Sequence, residues 1–225
     1  MTAPLQDLWD AILFDFDGVL CDSNGLKGDT FETLYADETP EVRAAIRAFH
    51  HANGGMPRRD KLRRFEGDIL GRPVDEARIA ALADRFAATV EQGVVRCAPI
   101  PGAAEFVAAH AGRLPLFVIS ATPHEEMNRI VDARGMRPQF VEVYGSPPAK
   151  AETAASIIAR HGFRTERVAF VGDAVQDIAA ATALGLPFVG VRDRDGSHPF
   201  PEGTLVIEDL RDLEGVLRGL AEGHQ

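Results

Sequence analysis

At 225 residues with 45% hydrophobic content, the chain is long enough for one large domain or for a core carrying a smaller insert. No apolar run approaches the roughly 20 residues of a membrane-spanning helix, and Met1 to Asp10 lack the basic-then-apolar plan of a secretory signal, so no membrane partner and a cytoplasmic location are expected. A formal net charge of −10 argues against a nucleic-acid partner, and two cysteines, Cys21 and Cys97, make neither a metal pattern nor a disulfide framework.

In chain order, the first predicted element is a short buried strand, Ala11-Ile12-Leu13-Phe14, that runs into Asp15-Phe16-Asp17-Gly18. Asp15 and Asp17 stand two apart, so on extended backbone they point the same way. Carboxylates so close repel unless a proton or a cation intervenes, and Mg²⁺ is the usual cation for oxygen ligands beside phosphate. Gly18 lets the chain turn sharply after the pair.

From Asp22 to Arg96 the spacing predicts only helices. Val42, Ala45, Ile46 and Phe49 share one face, with Thr39-Pro40-Glu41 as a start and Asn53-Gly54-Gly55 as a stop. A second helix is predicted from Pro57 to near Gly71, and a third carries Ile79, Leu82, Ala83, Phe86 and Val90. His50 and His51 are expected on the helix surface. This stretch is nearly neutral, at −1, while the rest of the chain carries −9.

Cys97-Ala98-Pro99-Ile100-Pro101-Gly102 reads as a linker, after which strands and helices alternate. Strands are predicted at 114–120, 140–144, 168–171, 187–191 and 205–207, and helices at 125–134, 149–161 and 177–184. The pattern predicts an α/β fold, a doubly wound, mostly parallel sheet over residues 1–21 and 97–225, with residues 22–96 as an inserted all-helical domain.

Three strand ends repeat the chemistry of the first. Ser120-Ala121-Thr122 offers a hydroxyl and amides at a strand end, suited to phosphate oxygens or to capping the next helix. Lys150 follows Gly145-Ser146-Pro147-Pro148 and falls in the first turn of a helix, where a cation is unfavourable and another use is indicated. Val168-Ala169-Phe170-Val171-Gly172-Asp173 is a second buried strand ending in a carboxylate, with Asp177 four residues on.

Asp-Phe-Asp-Gly-Val-Leu followed by Ser120, Lys150 and Gly-Asp with a second Asp resembles the four ordered motifs of the haloacid dehalogenase superfamily, in its helical-capped phosphatase subgroup near phosphoglycolate phosphatases and β-phosphoglucomutase. The resemblance implies a Rossmann-like core, a helical cap and a Mg²⁺-dependent phosphomonoester hydrolase that acts through an aspartyl phosphate. It implies Asp15 as nucleophile and metal ligand, and Asp17 as acid/base whose carbonyl also binds metal. It further implies Asp173 as a metal ligand, Asp177 as its support, and Ser120 and Lys150 on the phosphoryl oxygens, beside Gly18 and Ala121. The implied partner is a small phosphorylated metabolite, a sugar phosphate or a phosphoglycolate-like acid. Asp17 argues against dehalogenase and phosphonatase chemistry. Gly55-Met56-Pro57-Arg58 is similar to a short cap stretch of the mutase, so a phosphosugar mutase is the alternative, and Arg58 is expected to touch the leaving half of the substrate. A non-catalytic phosphate-binding module is the second alternative, disfavoured by the retention of Asp15 and Asp17.

Overall fold

The structure, a computed structural model, describes residues 3–223. The outermost residues of the predicted core, 1–2 and 224–225, lie outside that range. A short helix α1 (Leu5–Leu8) leads into β1 (Ala11–Phe14), every residue of which is buried. The remaining strands are β2 (Leu116–Pro123), β3 (Glu142–Ser146), β4 (Val168–Gly172), β5 (Phe188–Val191) and β6 (Val206–Ile207). They form one parallel sheet in the order β3-β2-β1-β4-β5-β6.

Buried parallel strands alternate their side chains between two covered faces, which is why β1 reads as a continuous apolar run. Ile12 and Phe14 pack on one face with Leu116, Val118, Ala169 and Val171, while Ala11 and Leu13 pack on the other with Phe117, Ile119, Val168 and Phe170. The first face is covered by α6 (Ala103–His110), α7 (His124–Ala133) and α10 (Leu213–Gly223), and the second by α8 (Lys150–His161) and α9 (Val175–Leu184). The predicted doubly wound α/β core is therefore present.

Between β1 and β2 the chain forms α2 (Asn24–Leu34), α3 (Pro40–Ala52), α4 (Arg58–Arg64) and α5 (Glu76–Arg96) before α6 begins the return to the sheet. Thr39 caps α3 by accepting from the Val42 amide, and Asp75 caps α5 by accepting from Ala77. Phe31, Phe65 and Phe86 meet at the centre, Phe31 lying 5.2 Å from Phe65 and 4.2 Å from Phe86 between ring centroids.

Several expectations shift. The strand predicted over 114–120 starts at Leu116 and runs on to Pro123, and that over 140–144 lies at Glu142–Ser146. The helix predicted from Pro57 to Gly71 is α4 followed by a π-helical turn, Phe65–Ile69. Helix α2 was hidden by Gly25 and Gly28, two poor helix formers inside it. Gly28 faces the His50 ring of α3. His50 itself is 4% exposed, contrary to the surface position expected, because it follows Ile46 by four residues on the buried face of α3.

Candidate active site

All four motifs sit at the carboxyl ends of strands, where α/β sheets bind ligands. Asp15 follows β1 and Asp173 follows β4, and these two strands are neighbours paired at Phe14 and Val171. Connections leave this point in opposite directions, β1 to its neighbour β2 on one side and β4 to β5 on the other, so a crevice opens between the strand ends. Gly18 turns the chain back at φ +75°, and a Cβ there would fall 2.0 Å from Asp173 Oδ2, so only glycine lets the two loops touch.

Lys150, the first residue of α8, places Nζ 2.7 Å from Asp15 Oδ2 and 2.6 Å from Asp177 Oδ1. Asp177 in turn accepts from the Ala174 amide at 3.0 Å and is fully buried, so it fixes the lysine and the loop after β4 together. The unfavourable position of Lys150 at a helix start is thus offset by two buried carboxylates. Asp15 Oδ1 accepts from the Phe16 amide at 2.6 Å. Ser120 Oγ accepts from the Thr122 amide at 3.1 Å and is buried beside Asp17, while Ala121 and Thr122 reach the cavity.

The acids differ sharply in their electrostatics. Burial pushes the Asp15 carboxyl up to about 7, against the pull of Lys150 and with the repulsion of Asp177 and Asp17. Burial, then Asp15 and Asp177, drive Asp173 well above the carboxylate range, although Asn24 donates to its Oδ2 at 2.6 Å. Asp17 moves the other way. Burial would raise it, but Lys27 Nζ at 2.5 Å, with the hydroxyls of Ser23 and Thr122, holds it below the usual value. Lys150 loses basicity to burial and regains more from Asp15 and Asp177, so it stays charged.

Carboxylate oxygens of Asp15, Asp173 and Asp177 lie within 4.8 Å of one another. Lys150 is shared between Asp177 and Asp15, and one ammonium leaves Asp15 and the half-buried Asp173 repelling each other, both resisting ionisation. A hard divalent cation with oxygen ligands relieves that repulsion, so the donor set fits Mg²⁺.

A small cavity of about 40 Å³ lies over these groups, walled by Asp15, Asp17 and Asp173 from the sheet side and by Phe31, Lys61 and Phe86 from the helical insert. Arg58 lines it too, but its guanidinium is held by a buried two-pronged pair with Glu126 of α7, at 2.9 and 2.6 Å, and lies 4.4 Å over the Phe86 ring. The substrate contact expected of Arg58 therefore competes with an existing partner. The sequence alone assigns no role in the site to Asn24, Lys27, His50 or Lys61. Asn24 and Lys27 share one face of the glycine-containing α2, and Lys61 sits within a basic run whose neighbours Arg63 and Arg64 reach solvent.

A family model of haloacid dehalogenase-like hydrolases matches residues 9–185. A phosphoglycolate phosphatase of Salmonella typhimurium is 31% identical over 204 residues, 80% of each chain. Among solved structures, a mutant of CbbY from Rhodobacter sphaeroides in complex with xylulose-(1,5)bisphosphate superimposes with a TM-score of 0.72 at 17% identity, over 91% of this chain and 96% of that one. YfnB from Bacillus subtilis, bound to magnesium, superimposes with a TM-score of 0.69 at 18% identity, over 93% and 98% of the two chains.

Proposed function

The chain belongs to the haloacid dehalogenase-like hydrolases, and on that footing we propose that it hydrolyses phosphate monoesters of small metabolites through a phosphorylated Asp15. The observation that carries this reading is the placement of Asp15 at the end of β1, hydrogen-bonded to Lys150 at 2.7 Å and facing the cavity. Asp15 would attack phosphorus, forming a carboxyl O–P bond as the ester P–O bond breaks. Lys150, with Ala121 and Thr122 at the end of β2, would hold the phosphoryl oxygens in line, and Ser120 would brace that turn. Asp17 would give a proton to the leaving alcohol and then take one from the water that attacks the acyl phosphate. Asp15, Asp173 and the Asp17 carbonyl would hold Mg²⁺, which supplies neutralisation of phosphoryl charge when bound.

Residues 22–96 serve in this reading as a cap over the catalytic end of the sheet, contributing Phe31, Lys61 and Phe86 to the cavity wall. The substrate is a sugar phosphate or a phosphoglycolate-like acid. Phosphoglycolate phosphatases among the relatives support the latter, and a neighbour's complex with a sugar bisphosphate supports the former.

The test is release of phosphate from an aryl phosphate with Mg²⁺ present. Wild type should turn over, and Asp15→Asn should fall to background while keeping its circular dichroism, because an amide cannot form the acyl phosphate. Turnover near wild type in Asp15→Asn, or undiminished turnover after chelation, would contradict the assignment.

A further inference from the structure

The cavity contains a buried cation with no ion-pair partner among the described residues. Lys61 is 3% exposed, yet no carboxylate among the described residues lies within ion-pair distance of its Nζ. In the same basic run Arg58 pairs with Glu126, Arg63 with Asp60 and Glu76, and Arg64 with Asp68, while Arg59 is exposed to water. Lys61 bonds only neutral groups, Nδ1 of His50 at 3.0 Å and the Gly54 carbonyl at 2.9 Å. Burial, then Lys61 and Lys27, keep His50 uncharged down to about 2, so the ring accepts from the ammonium and adds no charge. An ammonium has three donors, and the third is left for the cavity that Lys61 lines together with Asp15 and Asp173.

Burying an unpaired ammonium destabilises a fold unless a ligand completes it. Burial and the nearby Lys27 push Lys61 down to about 7, outweighing the pull of Asp17, Asp173 and Asp15, none of which lies within ion-pair distance. The position is also suited to a ligand. Both partners of Lys61, His50 and Gly54, line a second and larger cavity of about 420 Å³ as well as the first. A molecule whose phosphoryl group rests over Asp15 and whose remainder extends toward the larger cavity passes this ammonium.

We propose that Lys61 is a specificity residue of the site, receiving an anionic group, a carboxylate or a second phosphate, on the leaving half of the substrate. The inference rests on the reading of the site as a phosphatase, and it narrows the substrates to esters that carry a second negative charge. Lys61 makes a better recognition group than Arg58 because no protein carboxylate has to be displaced from it.

The experiment compares matched pairs of esters with the full chain and Mg²⁺: phosphoglycolate against 2-hydroxyethyl phosphate, and xylulose 1,5-bisphosphate against xylulose 5-phosphate. Wild type should prefer the doubly anionic member of one pair, and that pair identifies carboxylate or phosphate as the group received. Lys61→Met should lower the kcat/KM ratio within that pair by roughly ten- to a hundredfold, the loss of one charge-assisted hydrogen bond. Lys61→Arg should keep most of the ratio. The melting temperature of Lys61→Met without ligand should rise, as expected when an unpaired buried charge is removed and opposite to the loss of a structural ion pair. Equal preference within both pairs in wild type, a measurement that needs no variant, would overturn the proposal. So would an unchanged ratio in folded Lys61→Met. Calorimetry of the same ligands on Asp15→Asn, with and without Lys61→Met, separates the two readings. If wild type hydrolyses no ester the phosphatase reading falls, and selective loss of doubly anionic ligands from Lys61→Met still decides the role of Lys61, whereas equal binding of all ligands overturns it.

Discussion

Asp15, Asp17, Lys150 and Asp173 are legible in the sequence because each ends an apolar run or opens a helix against its preference. The part of Lys27 is not, since a lysine three residues from an asparagine in a glycine-containing helix does not show which carboxylate it meets. Its effect appears only when α2 brings Nζ to 2.5 Å from Asp17. That contact favours ionised Asp17, the form the proposed activation of water requires, and works against the proposed service as a proton donor. Removing the ammonium should raise the Asp17 pKa. In Lys27→Met the acidic limb of single-turnover dephosphorylation should therefore move to higher pH. In the proposed intermediate Asp15 carries the phosphoryl group as an acyl phosphate and does not titrate, and the shift of the limb on removing Lys27 reports Asp17. An acidic limb at the wild-type pH would show that Lys27 does not set the base.

At the scale of elements, α3 and α5 were readable because their apolar residues recur on one face, whereas α2 breaks its pattern with two glycines. The turn Phe65–Ile69 departs from α geometry at the point where Phe65 enters the insert's aromatic centre, 5.2 Å from Phe31, 5.9 Å from Tyr35 and 5.7 Å from Phe49. Phe65 is fully buried, so Phe65→Ala should cost about 3–5 kcal/mol in urea denaturation. If residues 22–96 are a unit of their own, hydrogen exchange should quicken across α2 to α5 while β1, β2 and β4 keep their protection. Equal quickening in the sheet would show that the insert and the core unfold as one, and the proposed boundaries would fall.

At the scale of the molecule, alternation of strands and helices predicts a parallel sheet but leaves its order open. The order β3-β2-β1-β4-β5-β6 is what makes Asp15 and Asp173, which are far apart in the chain, neighbours across one crevice. Motif order alone could say that these residues act together only through resemblance to a family. The same limit hid which cation of the insert lacks a protein partner. Arg58 and Lys61 look alike in a basic run, and only packing of α4 against α5 and the sheet's end gives one a carboxylate and leaves the other without. The central claim is that this crevice makes Asp15 a phosphate-accepting nucleophile. Its most direct test is a rapid acid quench of the enzyme turning over an aryl phosphate with Mg²⁺, followed by peptide mapping by mass spectrometry. The account predicts a phosphoryl group on Asp15, absent when Mg²⁺ is chelated and absent in Asp15→Asn; a phosphoryl group on another residue, or rapid turnover with none at any quench time, would contradict it.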